Sequence, residues 1–68
     1  MDLGTKLKVL RAINGLNQKQ LAEKSGVCDN AIAKIESKNQ TYKPSVRTLI
    51  ALSKALNVDV KELLDCER

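Results

Sequence analysis

The apolar positions of this chain recur at helical spacing in five stretches, and no stretch alternates as a strand would. In the first, Leu3, Leu7 and Leu10 stack on one face, with Ile13 closing the stripe and Lys6, Lys8 and Arg11 mostly off it. Asn14-Gly15 then stops the helix, because both residues tolerate a left-handed backbone. The second stretch opens at Asn17, an N-cap followed three residues later by Gln20 in a capping-box pattern. Leu21 and Ala22 form its inner face, and Gly26 ends it. The third begins near Cys28 or Asp29 and runs to Ser37, with Ile32 and Ile35 inward and Ala31 alongside. Asp29, Asn30, Ala33 and Lys34 make up its outer face.

A polar, basic, acid-free segment follows, from Lys38 to Pro44. Ser45 caps a fourth helix carrying Val46, Leu49, Ile50, Leu52, Ala55 and Leu56. It is apolar over much of its circumference and is expected to be the most buried. Asn57 ends it as a left-handed cap. Asp59 and Glu62 form a capping-box pattern for a short fifth helix with Val60, Leu63 and Leu64. The predicted core is Leu7, Leu21, Ile32, Ile35, Leu49, Leu52, Leu56 and Leu63. The expected fold is all-α, a compact five-helix bundle forming a single domain over residues 1–68. Only Gly26-Val27-Cys28 separates the second helix from the third, and so tight a connection containing glycine is the mark of a helix-turn-helix.

Composition narrows the chemistry. A chain of 68 residues buries only about 60% of the surface its unfolded form exposes, so oligomerisation is an expected source of added stability. Cys28 and Cys66 follow no leader-like pattern, which predicts reduced thiols and a cytoplasmic location. No apolar run approaches the roughly 20 residues of a membrane span. With no histidine and two cysteines there is no histidine acid–base pair and no four-ligand zinc set, so no enzymatic activity, metal or cofactor is expected. Tyr42 is the one aromatic residue, too few for a base-stacking platform. The net charge of +4 is uneven: residues 1–56 carry ten Lys and Arg against four acids, a net +6, and residues 57–68 carry two against four, a net −2. A basic body suits a polyanionic partner, and an ordinary solvated surface gives the same balance.

The stretch from Leu16 to Ser37, LNQKQLAEKSGVCDNAIAKIES, resembles the helix-turn-helix of the phage repressor and Cro family, also called the xenobiotic-response-element type. The likeness continues through Pro44-Ser45, the run Leu49 to Val58, and Glu62-Leu63-Leu64, covering nearly the whole chain. It implies a lambda-repressor-like DNA-binding domain and a small dimeric transcription regulator, most often a repressor, bound to a near-palindromic duplex operator. In that family the third helix enters the major groove with its N-terminal residues on base edges. Carried over by position, Asp29, Asn30, Ala33 and Lys34 become the base-reading residues. Asn17 and Gln18 fall on the positions that hold phosphate, and Lys38, Asn39, Tyr42 and Lys43 form a second phosphate group. Arg11 and Glu36 match a recurrent basic–acidic pair between the first and third helices. The family commonly dimerises through its last helices, which points to Val58, Val60 and Leu64.

Two departures stand out. Cys28 replaces the Ser or Thr that usually caps the third helix, and the loop from Ser37 to Pro44 is longer than in compact members. Each assignment has a plainer competitor. Asn30 suits adenine N6 and N7, or faces solvent; Lys34 suits guanine, or a phosphate. Asp29 suits cytosine N4, or complements the helix dipole. Ala33 suits a thymine methyl, or makes room. Cys28 at a helix N-terminus suits a redox-active thiol, or fills a turn. An alternative function is a protein-interaction module that keeps the fold without binding DNA.

Overall fold

In a computed structural model, which describes residues 2–37 and 42–66, each helix but one starts where a side-chain oxygen meets its first free amides. Asp2 accepts from the Thr5 amide at 2.9 Å and opens α1, Leu3–Ile13. Asn17 opens α2, Gln18–Ser25, with both bonds of the capping box formed: Gln20 N–H to Asn17 Oδ1 at 2.7 Å, and Asn17 N–H to Gln20 Oε1 at 2.9 Å. Ser45 Oγ accepts from Thr48 to start α4, Val46–Leu56, and Asp59 accepts from Lys61 to start α5, Val60–Leu64. The exception is α3, Asp29–Glu36, whose N-cap Cys28 makes no side-chain capping bond. Two helices end in left-handed caps, α2 at Gly26 (φ 78°) and α4 at Asn57 (φ 59°).

Among the described residues, five helices wrap one core. α1 packs on α3 and α5, α2 on α3 and α4, and α4 on α5. All eight predicted core residues are buried, and Leu3, Leu10 and Ala55 join them. Leu7, Leu21, Ile32, Leu52, Leu56 and Leu63 are essentially sealed from solvent. Fully burying a side chain of this size contributes about 1.5–3 kcal/mol, so these six anchor the bundle.

Several expectations need correction. Ile13 does not close the α1 stripe; it is 73% exposed. The inward place belongs to Asn14, whose Nδ2 donates to the Leu10 carbonyl at 2.8 Å and the Leu56 carbonyl at 3.3 Å. Asn14 itself is not left-handed (φ −85°); Gly15 supplies the positive φ of that turn (68°). α4 does bury Leu49, Leu52, Ser53, Ala55 and Leu56, but Val46 and Ile50 lie off that inward arc and stay exposed. Glu62 does not complete a capping box with Asp59; its carboxylate crosses to Lys6 of α1 at 3.2 Å. Of the three positions pointed to for dimerisation, Val58 and Val60 are half-buried and packed against the core, while Leu64 is 47% exposed.

Candidate nucleic-acid interface

The connection between α2 and α3 is built by local chemistry. Gly26 takes the left-handed conformation that an L side chain resists, and its N–H returns to the Ala22 carbonyl at 2.8 Å. Ser25 Oγ accepts from the Val27 amide at 3.1 Å, and Val27 tucks against the core. The chain is thereby turned once, and α3 leaves with its apolar side fixed. Ile32 and Ile35 are buried; Asp29, Asn30 and Lys34 are exposed and Ala33 is half-exposed. Positions 29, 30, 33 and 34 share one face by helical spacing, so the four predicted base-reading residues stand together on the outside of α3. Asp29 also sits in the first turn, where a negative charge complements the helix dipole and partly offsets the missing Cys28 cap. The exposed Cys28 thiol reaches only to Asp29 Oδ1, at 3.9 Å.

Behind that face lies a polar lock. Glu36, only 3% exposed, accepts from Arg11 Nε at 2.8 Å, from Arg11 Nη2 at 3.0 Å and from Gln18 Nε2 at 3.0 Å. Arg11 Nη1 donates in addition to the Leu16 carbonyl at 2.9 Å. Hydrogen bonding to Glu36 raises the Arg11 pKa against the opposing effect of burial. Three helices meet in this cluster: α1 through Arg11, the start of α2 through Gln18 and the end of α3 through Glu36. The forked geometry of guanidinium on carboxylate fixes direction as well as distance, which holds α3 at one angle to the rest. Among the described residues, no buried side-chain nitrogen or oxygen is left without a partner.

Two of the predicted phosphate residues are placed differently from expectation. Gln18 turns its amide inward to Glu36, so its main-chain N–H at the open end of α2 is what it presents outward. Asn17 commits its Oδ1 and its N–H to the capping box and keeps its Nδ2 group on an exposed surface. Tyr42 is half-buried against the core, and Lys34 Nζ lies 5.7 Å above its ring centroid, a pairing that sequence spacing did not signal. Lys43 is exposed beside it. Lys38 and Asn39 lie outside the described residues.

A bundle of this kind, with a three-residue turn feeding a buried-backed, polar-faced third helix, is a helix-turn-helix domain. The chain belongs to the helix-turn-helix family, whose model matches residues 7–63, and to its Cro/C1-type regulators. It is 42% identical over 62 residues to the control protein C.SmaI of Serratia marcescens, covering 91% of this chain and 71% of that one. It is 38% identical over 63 residues to the HTH-type transcriptional regulator SinR of Bacillus subtilis, covering 93% of this chain and 56% of SinR. It is 36% identical over 64 residues to the immunity repressor protein of Bacillus phage phi105, covering 94% of this chain and 43% of that repressor. The chain thus spans about half the length of the latter two relatives. The resemblance read from the sequence holds, and the chain is a DNA-binding transcription regulator. Among the described residues no helix is long and apolar enough to cross a membrane.

Proposed function

We propose that this chain is the DNA-reading unit of a homodimeric cytoplasmic repressor, a single domain without enzymatic activity that blocks a promoter by occupying a near-palindromic operator. α3 enters the major groove with Asp29, Asn30, Ala33 and Lys34 on base edges. The main-chain amides at the start of α2, with Asn17 and Gln18, hold one phosphate, and the loop residues Lys38, Asn39, Tyr42 and Lys43 hold another. The observation that carries this reading is the division of α3: its back is fixed by Ile32, Ile35 and Glu36, while Asp29, Asn30 and Lys34 face solvent. A helix held this way presents its polar groups without reorganisation on binding, which lowers the entropic cost of each base contact.

Dimerisation is proposed through α5 and the turn before it. Leu64 supplies the exposed apolar contact and Val58 and Val60 its partly buried floor. Ile13 belongs with them: the adjacent Asn14 bonds the Leu56 carbonyl, which puts the end of α1 beside the chain leading to Val58. A two-fold dimer sets two α3 helices in successive major grooves, about 34 Å apart.

The test is selection of bound duplexes from a random library at near-physiological salt, followed by titration of the winner against salt. A symmetric motif with half-sites about one turn apart, and log affinity falling about 0.9 per contacted phosphate per log unit of salt, supports the proposal. Recovery of no motif together with a flat salt response refutes it and favours the protein-interaction module.

A further inference from the structure

We propose that Tyr42 is the positioning residue for Lys34: its ring holds the ammonium over the reading face of α3 and so sets the preference at one base pair of each half-site. This rests on the DNA-reading role of α3 given above. Lys34 is exposed and its long stem has many rotamers, so on its own the ammonium would sample a wide shell around the helix. Its helical neighbours are no anchors: Asn30 and Ala31 precede it by four and three residues and Ser37 follows by three, none of them an acid. Among the described residues the ion pairs join Lys6 to Glu62 and Arg11 to Glu36, and Lys34 enters neither.

What Lys34 does have is the Tyr42 ring, 5.7 Å from Nζ to centroid, inside the range of about 6 Å over which a ring face attracts a cation. The ring is itself a fixed point, because Tyr42 is half-buried and packed against the hydrophobic core. The chemistry of this partner matters. A carboxylate would neutralise the lysine and occupy its donors. An aromatic face narrows the positions of the ammonium while leaving its charge and N–H groups free for a base edge or a phosphate. The single aromatic residue of the chain is spent at this spot, next to the outer face of the reading helix.

The role of the ring separates cleanly from that of the hydroxyl. Tyr42→Phe keeps the ring and removes the group that would bond a phosphate. Tyr42→Leu keeps apolar bulk against the core and removes the π face, and Tyr42→Met serves the same purpose if the leucine variant unfolds. Full-chain protein is titrated against the selected operator and against its single-base-pair variants. The position read by Lys34 is the one whose preference collapses in Lys34→Ala. We expect Tyr42→Phe to keep that preference and Tyr42→Leu to weaken it about two- to fivefold, with other positions unchanged. Adding Tyr42→Leu to Lys34→Ala should change the preference no further. In the free protein, the Lys34 Cε protons should show an upfield ring-current shift that persists in Tyr42→Phe and vanishes in Tyr42→Leu.

The proposal is overturned if Tyr42→Phe weakens the preference at that position as much as Tyr42→Leu does, since the hydroxyl and not the ring is then what acts on Lys34. It is equally overturned if Tyr42→Leu sharpens the preference, because Tyr42 then holds Lys34 away from DNA. Should Lys34→Ala relax no position while specific binding persists, this inference fails and the DNA-reading role of α3 stands. Failure of the wild-type chain to select any motif is instead the failure of that underlying role.

Discussion

Replacing Arg11 with Leu tests the claim that a polar lock, and not apolar packing alone, sets the angle of α3. In the native fold the Glu36 carboxylate, with its side chain 2% exposed, is met by two guanidinium donors and by Gln18. Arg11→Leu leaves the charge buried with Gln18 as its partner. Breaking a buried pair by removing one member costs about 3–5 kcal/mol. Arg11 keeps about a fifth of its side chain in solvent, so water relieves part of the strain and the low end, about 3 kcal/mol, applies. Loss of the bond to the Leu16 carbonyl adds about 1 kcal/mol. A domain of this length holds roughly 3–10 kcal/mol in all, so the single change removes a large share of it. Thermal unfolding followed by circular dichroism should shift down by the order of 15–30 °C, at about 4–8 °C per kcal/mol. The double variant Arg11→Leu with Glu36→Leu removes both charges and should recover most of the loss, because two apolar groups can occupy such a site at little cost. Because the Arg11 pKa is raised by folding, its contribution is fully present below the ordinary arginine value and lost only as pH climbs through the raised one. The Arg11→Leu penalty should therefore not vary through Arg11 titration near neutral pH. A single-variant cost under about 1 kcal/mol, or strictly additive effects in the double variant, would refute the reasoning.

Three further outcomes follow from individual positions. Cys28→Ser supplies the oxygen that α3 lacks and should stabilise the domain by about 1 kcal/mol in urea unfolding, with sequence preference on DNA unchanged. Asn57 holds φ 59° and ψ 41°, so Asn57→Ala should cost about 1–2 kcal/mol while Asn57→Gly is tolerated; equal losses in the two would mean that the side chain, not the backbone, matters there. Ile13→Glu should shift sedimentation from dimer to monomer while the monomer keeps its helical circular-dichroism spectrum, since the side chain is 73% exposed and lies outside the core. Unchanged sedimentation would remove Ile13 from the interface.

Features set by neighbours in sequence were legible without a structure. The capping box of Asn17 and Gln20, the helix end at Gly26, the left-handed cap at Asn57, and the buried stripe of Leu3, Leu7 and Leu10 are each decided within one or two turns of chain. Features set by side chains meeting across the bundle were not. Counting apolar residues placed Ile13 at the end of the first helix's apolar stripe, because the count has no way to register that Asn14 fills the inward position by bonding carbonyls of two different helices. Glu62 looked like a capping residue because Asp59 stands three positions before it; Lys6, distant in sequence and adjacent in space, takes it instead. The Arg11–Glu36 pair was found through family resemblance, but Gln18 as a third member requires knowing that α2 begins where α3 ends.

Under the proposed DNA-reading role of α3, the same distinction separates choice of target from fold. Among the described residues, the buried contacts that fix α3 come from its back and its ends: Ile32 and Ile35 in the core, Glu36 in the polar lock, Val27 in the turn. Asn30 and Lys34 on the front are exposed and belong to neither the core nor the polar lock. Substitutions at exposed positions of this sort typically move stability by no more than about 0.5 kcal/mol, whereas one good base contact is worth about 1–3 kcal/mol of discrimination. If the front of α3 reads DNA as proposed, substitution there changes sequence preference by several times more than stability, and the two are governed by different residues.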